Sequence, residues 1–161
     1  DIGAWVGTWT MAMNEFCGRG IAFEPDPVHY ECLVKNCPED VETHQLAIGN
    51  EEKMISLSED NFTQAKRVVG DGTIPMVTID SLNLDDVDLI KIDVEGFEME
   101  VLKGAENTLK NVDYLMIELN NNSKKYGSSN LEIEKHLRKT GFEIMIKVWP
   151  DVVWRKKGKS K

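Results

Sequence analysis

Short apolar runs that end on an acidic residue recur along this chain, each followed by a helical pattern, and this alternation restricts the fold more than any other feature. Ile21-Ala-Phe-Glu24, Asp88-Leu-Ile-Lys-Ile-Asp93 and Tyr114-Leu-Met-Ile-Glu-Leu119 read as buried strands, and Val41 to Ile48 as a further one. Asp26 is placed to cap a helix whose first position is Pro27 and whose buried face is Tyr30, Leu33, Val34 and Cys37, with Pro38 closing it. Phe97, Val101, Ala105 and Leu109 mark a second helical face, bent near Gly104. Ser129 with Glu132 forms a capping box for a helix to about Lys139, ended by Gly141. Phe142, Ile144, Ile146 and Val148 then alternate, and Val152 to Trp154 returns as an antiparallel partner. Residues 51–80 read as a small β insertion, with a hairpin turn at Asp71-Gly72 and an edge at Pro75. Together these imply an α/β protein whose mostly parallel sheet is covered on both faces and closes in a C-terminal antiparallel hairpin. Ligands of such sheets bind outside the carboxyl ends of the strands, so Asp1, Glu24, Leu46 to Ile48, Asp93 and Glu118 become the positions of interest.

At the start of the chain, Asp1-Ile-Gly-Ala-Trp-Val-Gly-Thr8 places two glycines behind an acid. Trp9, Ala12, Met13 and Phe16 follow at i, i+3, i+4 and i+7, the expected buried face of a first helix. A strand end, a glycine turn and a helix N-terminus in succession can receive an anionic part of a ligand, or form only a tight turn. The nicotinamide fingerprint G-x-G-x-x-G fails twice, because Trp5 and Thr8 occupy its second and third glycine positions. Glu24 lies 21 residues after Gly3, near the roughly 20-residue spacing at which an acid accepts from both hydroxyls of a ribose.

Asp93-Val-Glu95-Gly96 sets two carboxylates at alternating positions as a central strand ends. Paired carboxylates can hold a cation, shift one another's pKa or serve as a general base. Capping of the next helix is the structural alternative for Glu95. A metal held by Asp93, Glu118 and Asn120 is conceivable from strand ends alone, but no metal is assigned. His29, His44 and His136 are scattered over separate elements and read as structural.

With 161 residues the chain suffices for one domain, expected over 1–155 with a solvated basic tail at 156–161 that continues the run opened by Arg155. A formal net charge of −9 argues against a nucleic-acid surface. Three cysteines without a C-x-x-C pair indicate neither a disulfide framework nor zinc, and fit a reducing cytoplasm. No apolar run is long enough for a membrane helix. Because the chain opens on what reads as the end of a first strand, sequence upstream is expected.

Four segments, Asp1-Ile-Gly-Ala-Trp-Val-Gly7, Ala22-Phe-Glu-Pro-Asp-Pro27, Thr78-Ile-Asp-Ser-Leu82 and Lys91-Ile-Asp-Val-Glu-Gly96, resemble in order the motifs of the FkbM-type methyltransferases, a class I family that uses S-adenosylmethionine. The resemblance runs from residue 1 to about 120 and implies a Rossmann-like, doubly wound fold and O-methyl transfer to a hydroxyl of a small molecule or sugar. It further implies that Asp1, Gly3, Ala4 and Gly7 cradle the methionine end of the cofactor, with Trp5 also among the cofactor-binding positions. Glu24 would hold the ribose, Pro25 would lie against the adenine, and Leu46 and Ala47 would flank it. Asp93 would sit beside the amino group and the reacting methyl, with Glu95 near the acceptor, making these two the catalytic candidates. The family usually carries Asn where this chain has Trp5, so the indole either packs over the cofactor or obstructs it. A non-catalytic nucleoside-binding module of the same fold is the second reading.

Overall fold

Strand-end geometry is set by a sheet that Ile2 joins at its middle. The computed structural model describes residues 1–58 and 66–158. β1 (Gly20–Phe23) pairs in parallel with β2 (Val41–His44), and β6 (Leu89–Ile92) pairs in parallel with β7 (Tyr114–Glu118). Ile2 forms parallel bridges to both Phe23 and Ile92, so the two halves are one layer. β9 (Asp151–Lys156) runs antiparallel between β7 and β8 (Phe142–Val148), which gives the order β2, β1, Ile2, β6, β7, β9, β8. Ile90, Ile92, Leu115, Ile117, Val152 and Trp154 from these strands form the main core with Leu102, Leu109, Ile133 and Leu137 from the helical segments.

The helices follow local rules closely. α2 (Pro27–Asn36) begins with Asp26 accepting from the backbone N–H groups of Val28 and His29. α4 (Asn130–Lys139) is capped by Ser129, which accepts from the Glu132 N–H while its hydroxyl donates to the Glu132 carboxylate. α3 (Glu98–Lys103) stops where Gly104 would carry a Cβ 1.9 Å from the Gly49 carbonyl oxygen, and a 3-10 turn (Thr108–Lys110) completes the expected face.

Several expectations are corrected. α1 (Thr8–Asn14) ends before Phe16, which is exposed, as is Trp9. Its buried residue is Thr10, held inward because its hydroxyl donates to the Asp1 carboxylate at 2.7 Å, which outweighs the apolar pattern. The run from Val41 to Ile48 breaks after His44, and β3 (Ala47–Ile48) leaves the main sheet to pair in parallel with β5 (Val68–Val77). β4 (Lys53–Leu57) is antiparallel to β5, so the insertion is a three-stranded sheet with β5 in the middle. Asp71-Gly72 lies inside β5 as a bulge rather than at a turn, because Ile55 pairs with Ile74 while Ser56 pairs with Val69. There the Ser56 hydroxyl donates to the Asp71 carbonyl, and Gly72 leaves room for it. Pro75 falls one residue before the pairing with β3 begins at Met76, so its missing N–H interrupts no ladder on that side. The basic stretch is likewise less tail-like than expected. Arg155 and Lys156 belong to β9, and the Lys156 ammonium donates to the carbonyls of Leu109 and Thr140; residues 159–161 lie outside the described part.

Candidate functional site

A cleft of about 250 Å³ opens at the carboxyl ends of the strands. Gly3, Trp5, Glu24, Pro25, Leu46, Ala47, Asp93 and Glu95 all line it, as do Glu118 and His29. A larger hollow of about 600 Å³ lies on the opposite side of Ile2, between the amino-terminal halves of β1 and β6, and holds none of the carboxylates of Glu24, Asp93 or Glu118. Three of the expected cofactor residues stand behind the cleft. Asp1 turns its carboxylate to Thr10 and Lys91. Ala4 packs with Ala22, Leu33 and Val41. Gly7 caps α1 with a φ of 91°, where a Cβ would press on Leu33 and Cys37, so the glycine serves helix packing and the N-terminus of α1 does not reach the cleft lining.

One end of the cleft is built on Glu24. Its carboxylate is buried and accepts the Trp5 N–H at 2.8 Å and the Asp26 N–H at 2.9 Å, tying the first glycine loop to the start of α2. Burial pushes its pKa up to about 7 against the pull of those two backbone donors. Trp5 adopts a φ of 51°, a left-handed conformation that costs a residue with a Cβ, and its ring meets His29 edge-on at 6.4 Å. His29 thus belongs to the cleft wall, where sequence placed it only on a helix. Its Nδ1 lies 3.8 Å from Glu24 and 3.7 Å from Asp26.

Carboxylates crowd the other end. Oxygens of Asp93, Glu95 and Glu118 lie within 4.8 Å of one another. Glu95, at a φ of 56°, accepts from the side-chain amides of Asn122 (2.9 Å) and Asn120 (3.4 Å), and Asn120 also donates to Glu118 at 2.6 Å. Asn120 therefore turns its NH₂ into the cluster and spends its oxygen on the Asn122 N–H, so in this orientation it offers the carboxylates no oxygen ligand beside them. Burial and the neighbouring Asp93 charge push Glu118 up to about 7, and the same two causes raise Glu95. The capping alternative for Glu95 falls to another residue: the buried Glu98 accepts the Gly96 N–H at 2.9 Å. Behind Asp93, the buried Lys91 ammonium stands 3.4 Å from both Asp93 and Asp1.

The insertion supplies the remaining wall through Leu57, Lys66 and Val68. It is fastened on both flanks: Lys66 pairs with the Asp26 carboxylate, and the Tyr126 hydroxyl donates to the Val68 carbonyl while its ring packs edge-on against Phe97. Sequence reasoning missed Lys66, Val68, His29 and Lys91. Only Lys91 carried a sequence signal, as a cation inside an otherwise apolar strand.

Residues 1–144 match the family model described as Methyltransferase FkbM domain. Over 130 residues the chain is 28% identical to the hexuronic acid methyltransferase AglP of Haloferax volcanii, an alignment covering 74% of this chain and 54% of that protein. It is 25% identical to Methyltransferase 1 of Beauveria bassiana, over 91% of this chain and 72% of the relative. The crystal structure of methyltransferase FkbM from Methylobacillus flagellatus superposes with a TM-score of 0.67 at 19% identity, over 96% of this chain and 42% of the other. LepI in complex with SAM superposes with a TM-score of 0.50 at 12% identity, over 98% and 42%. The chain thus spans about half the length of the Haloferax volcanii relative and less than half of the solved chains. Among the described residues no helix is long and apolar enough to cross a membrane.

Proposed function

The chain belongs to the FkbM methyltransferase family, and from that premise we propose that it transfers the methyl group of S-adenosylmethionine to a hydroxyl of a small molecule or sugar. The observation that carries this reading is the convergence of Gly3, Glu24, Leu46, Ala47 and Asp93 on one cleft with an acidic cluster at its far end. The residues fit the cofactor. Gly3 has a φ of 78° and a Cβ there would fall 1.9 Å from the Asp93 carbonyl oxygen, so the loop passes as close to the cleft floor as backbone can. Glu24 has one backbone donor on each oxygen and retains lone pairs for two ribose hydroxyls. Pro25, Leu46 and Ala47 offer apolar walls for the base, and Asp93 an anion for an amino group.

The cofactor supplies an electrophilic methyl on a sulfonium. Glu95 and Glu118 orient the acceptor hydroxyl and one of them takes up its proton while Asp93 faces the cofactor's amino group. A carboxylate with a pKa near 7, as at Glu118, suits the proton acceptor at neutral pH. Holding donor and acceptor in line contributes at best about 7–11 kcal/mol. No metal is assigned a role. Three free cysteines support a reducing setting such as the cytoplasm.

Calorimetric titration with S-adenosylhomocysteine, with NAD as control, tests the reading. Binding of the former alone supports it, and binding of neither sinks it for this chain. The second reading, a module that binds the nucleoside without turnover, rests on Trp5, whose indole lines the cleft. Tight binding with no methyl transfer across a panel of hydroxylated acceptors would favour it.

A further inference from the structure

Lys91 is the one lysine or arginine among the described residues that is buried, and nothing in the proposed transfer yet uses it. Its position follows from strand arithmetic. Lys91 and Asp93 are two apart as β6 ends and so share a face, while Ile90 and Ile92 point into the core. The Ile2 N–H donates to the Lys91 carbonyl and the Asp93 N–H to the Ile2 carbonyl, which sets Asp1 alongside. The ammonium therefore stands 3.4 Å from each of two carboxylates. Asp1 is fixed in turn by the Thr10 hydroxyl at 2.7 Å.

This relay has an inside and an outside. Thr10, Asp1 and Lys91 are all buried, whereas the Asp93 side chain is about a third exposed and faces the cleft. A buried ammonium is tolerated only when paired, and removing it would leave two carboxylates facing each other with no cation between them. Two negative charges and one positive leave the triad one net negative charge, presented to the cleft by Asp93.

We propose that Lys91 is a positioning residue for the amino-acid end of the cofactor: it holds Asp93 at the cleft surface, aimed at the cofactor's ammonium, without touching the nucleoside end. The proposal rests on the S-adenosylmethionine reading above. It assigns the two ends of the cleft to separate machinery, Glu24 for the nucleoside and the Thr10–Asp1–Lys91–Asp93 relay for the amino acid.

Two probes separate the ends. S-Adenosylhomocysteine carries an amino-acid end, whereas 5′-methylthioadenosine is the same nucleoside thioether without it. Calorimetry on the wild type and on Lys91→Met should show at least a tenfold loss of S-adenosylhomocysteine affinity and a change of no more than about twofold for methylthioadenosine. Unchanged methylthioadenosine binding also certifies that the variant is folded. Should Lys91→Met fail to fold, Thr10→Val, which removes only the hydroxyl at the far end of the relay, should weaken S-adenosylhomocysteine a few-fold and spare methylthioadenosine. Equal losses for both probes, or no loss for either, would overturn the proposal. A wild type that binds neither probe removes the cofactor reading itself, and the proposal with it. A wild type that binds methylthioadenosine as tightly as S-adenosylhomocysteine refutes the relay alone.

Discussion

Glu24 and Asp93 end strands of one sheet on either side of Ile2, yet they are held by opposite means. Glu24 receives backbone N–H groups from two separate loops, so its carboxylate is part of how the chain is folded there. Asp93 is held by a lysine side chain and crowded by Glu95 and Glu118, which are themselves held by asparagine amides. Backbone donors are fixed by the fold and come with any sequence that adopts it. Side-chain donors can be exchanged one at a time. The proposed nucleoside end is therefore expected to resist change without loss of stability, and the Glu95 and Glu118 side of the other end to tolerate it.

The harshest way to break this contrast is Gly3→Ala. At a φ of 78° and with the new methyl 1.9 Å from the Asp93 carbonyl, the loop and strand must separate. We expect a loss of about 3 kcal/mol or more in urea unfolding, with binding at both ends of the cleft abolished. Glu24→Gln is the next largest. An amide offers one acceptor to two N–H donors, so one donor is left facing an NH₂, which should cost about 1–3 kcal/mol in the same assay. An unchanged urea midpoint would show that the backbone bonds at Glu24 are not structural.

Acidity sharpens the comparison further. In the proposed role Glu24 must be ionised to accept from two hydroxyls, and its pKa stands near 7. S-Adenosylhomocysteine affinity should hence fall as pH drops below 7, by up to about tenfold per pH unit, and titrations at pH 6 and 8 would read it. Stability runs the other way. Glu24 and Glu118 both bind a proton more tightly folded than unfolded, so their contribution is complete below pH 4.5 and is lost as pH rises towards 7. Glu118→Gln should flatten part of that decline between pH 5 and 7 and leave methylthioadenosine binding alone, the smallest effect of the set.

What was legible in the sequence was what local chemistry decides. Asp26 before Pro27 and Ser129 before Glu132 cap helices as read, because a cap needs only its own turn. The strand-end acids Glu24, Asp93 and Glu95 were found because alternating strands and helices fix where strands end. The rest needed distant partners. Nothing near Thr10 announces that a buried aspartate will turn α1 away from its apolar stripe. Asp71-Gly72 has turn chemistry, yet the pairing of Ile74 with Ile55 and of Val69 with Ser56 leaves it in a bulge between them. Glu118 joins Asp93 only because β6 and β7 lie side by side, and Lys66 reaches Asp26 across 40 residues of chain.

The two amides on Glu24 have a spectroscopic consequence. The Trp5 and Asp26 protons point at the two oxygens of one carboxylate, so their chemical shifts must move together when it gains or loses a proton. An amide spectrum recorded across pH thus reads the charge on Glu24 directly, from two residues at once and before any ligand has been added.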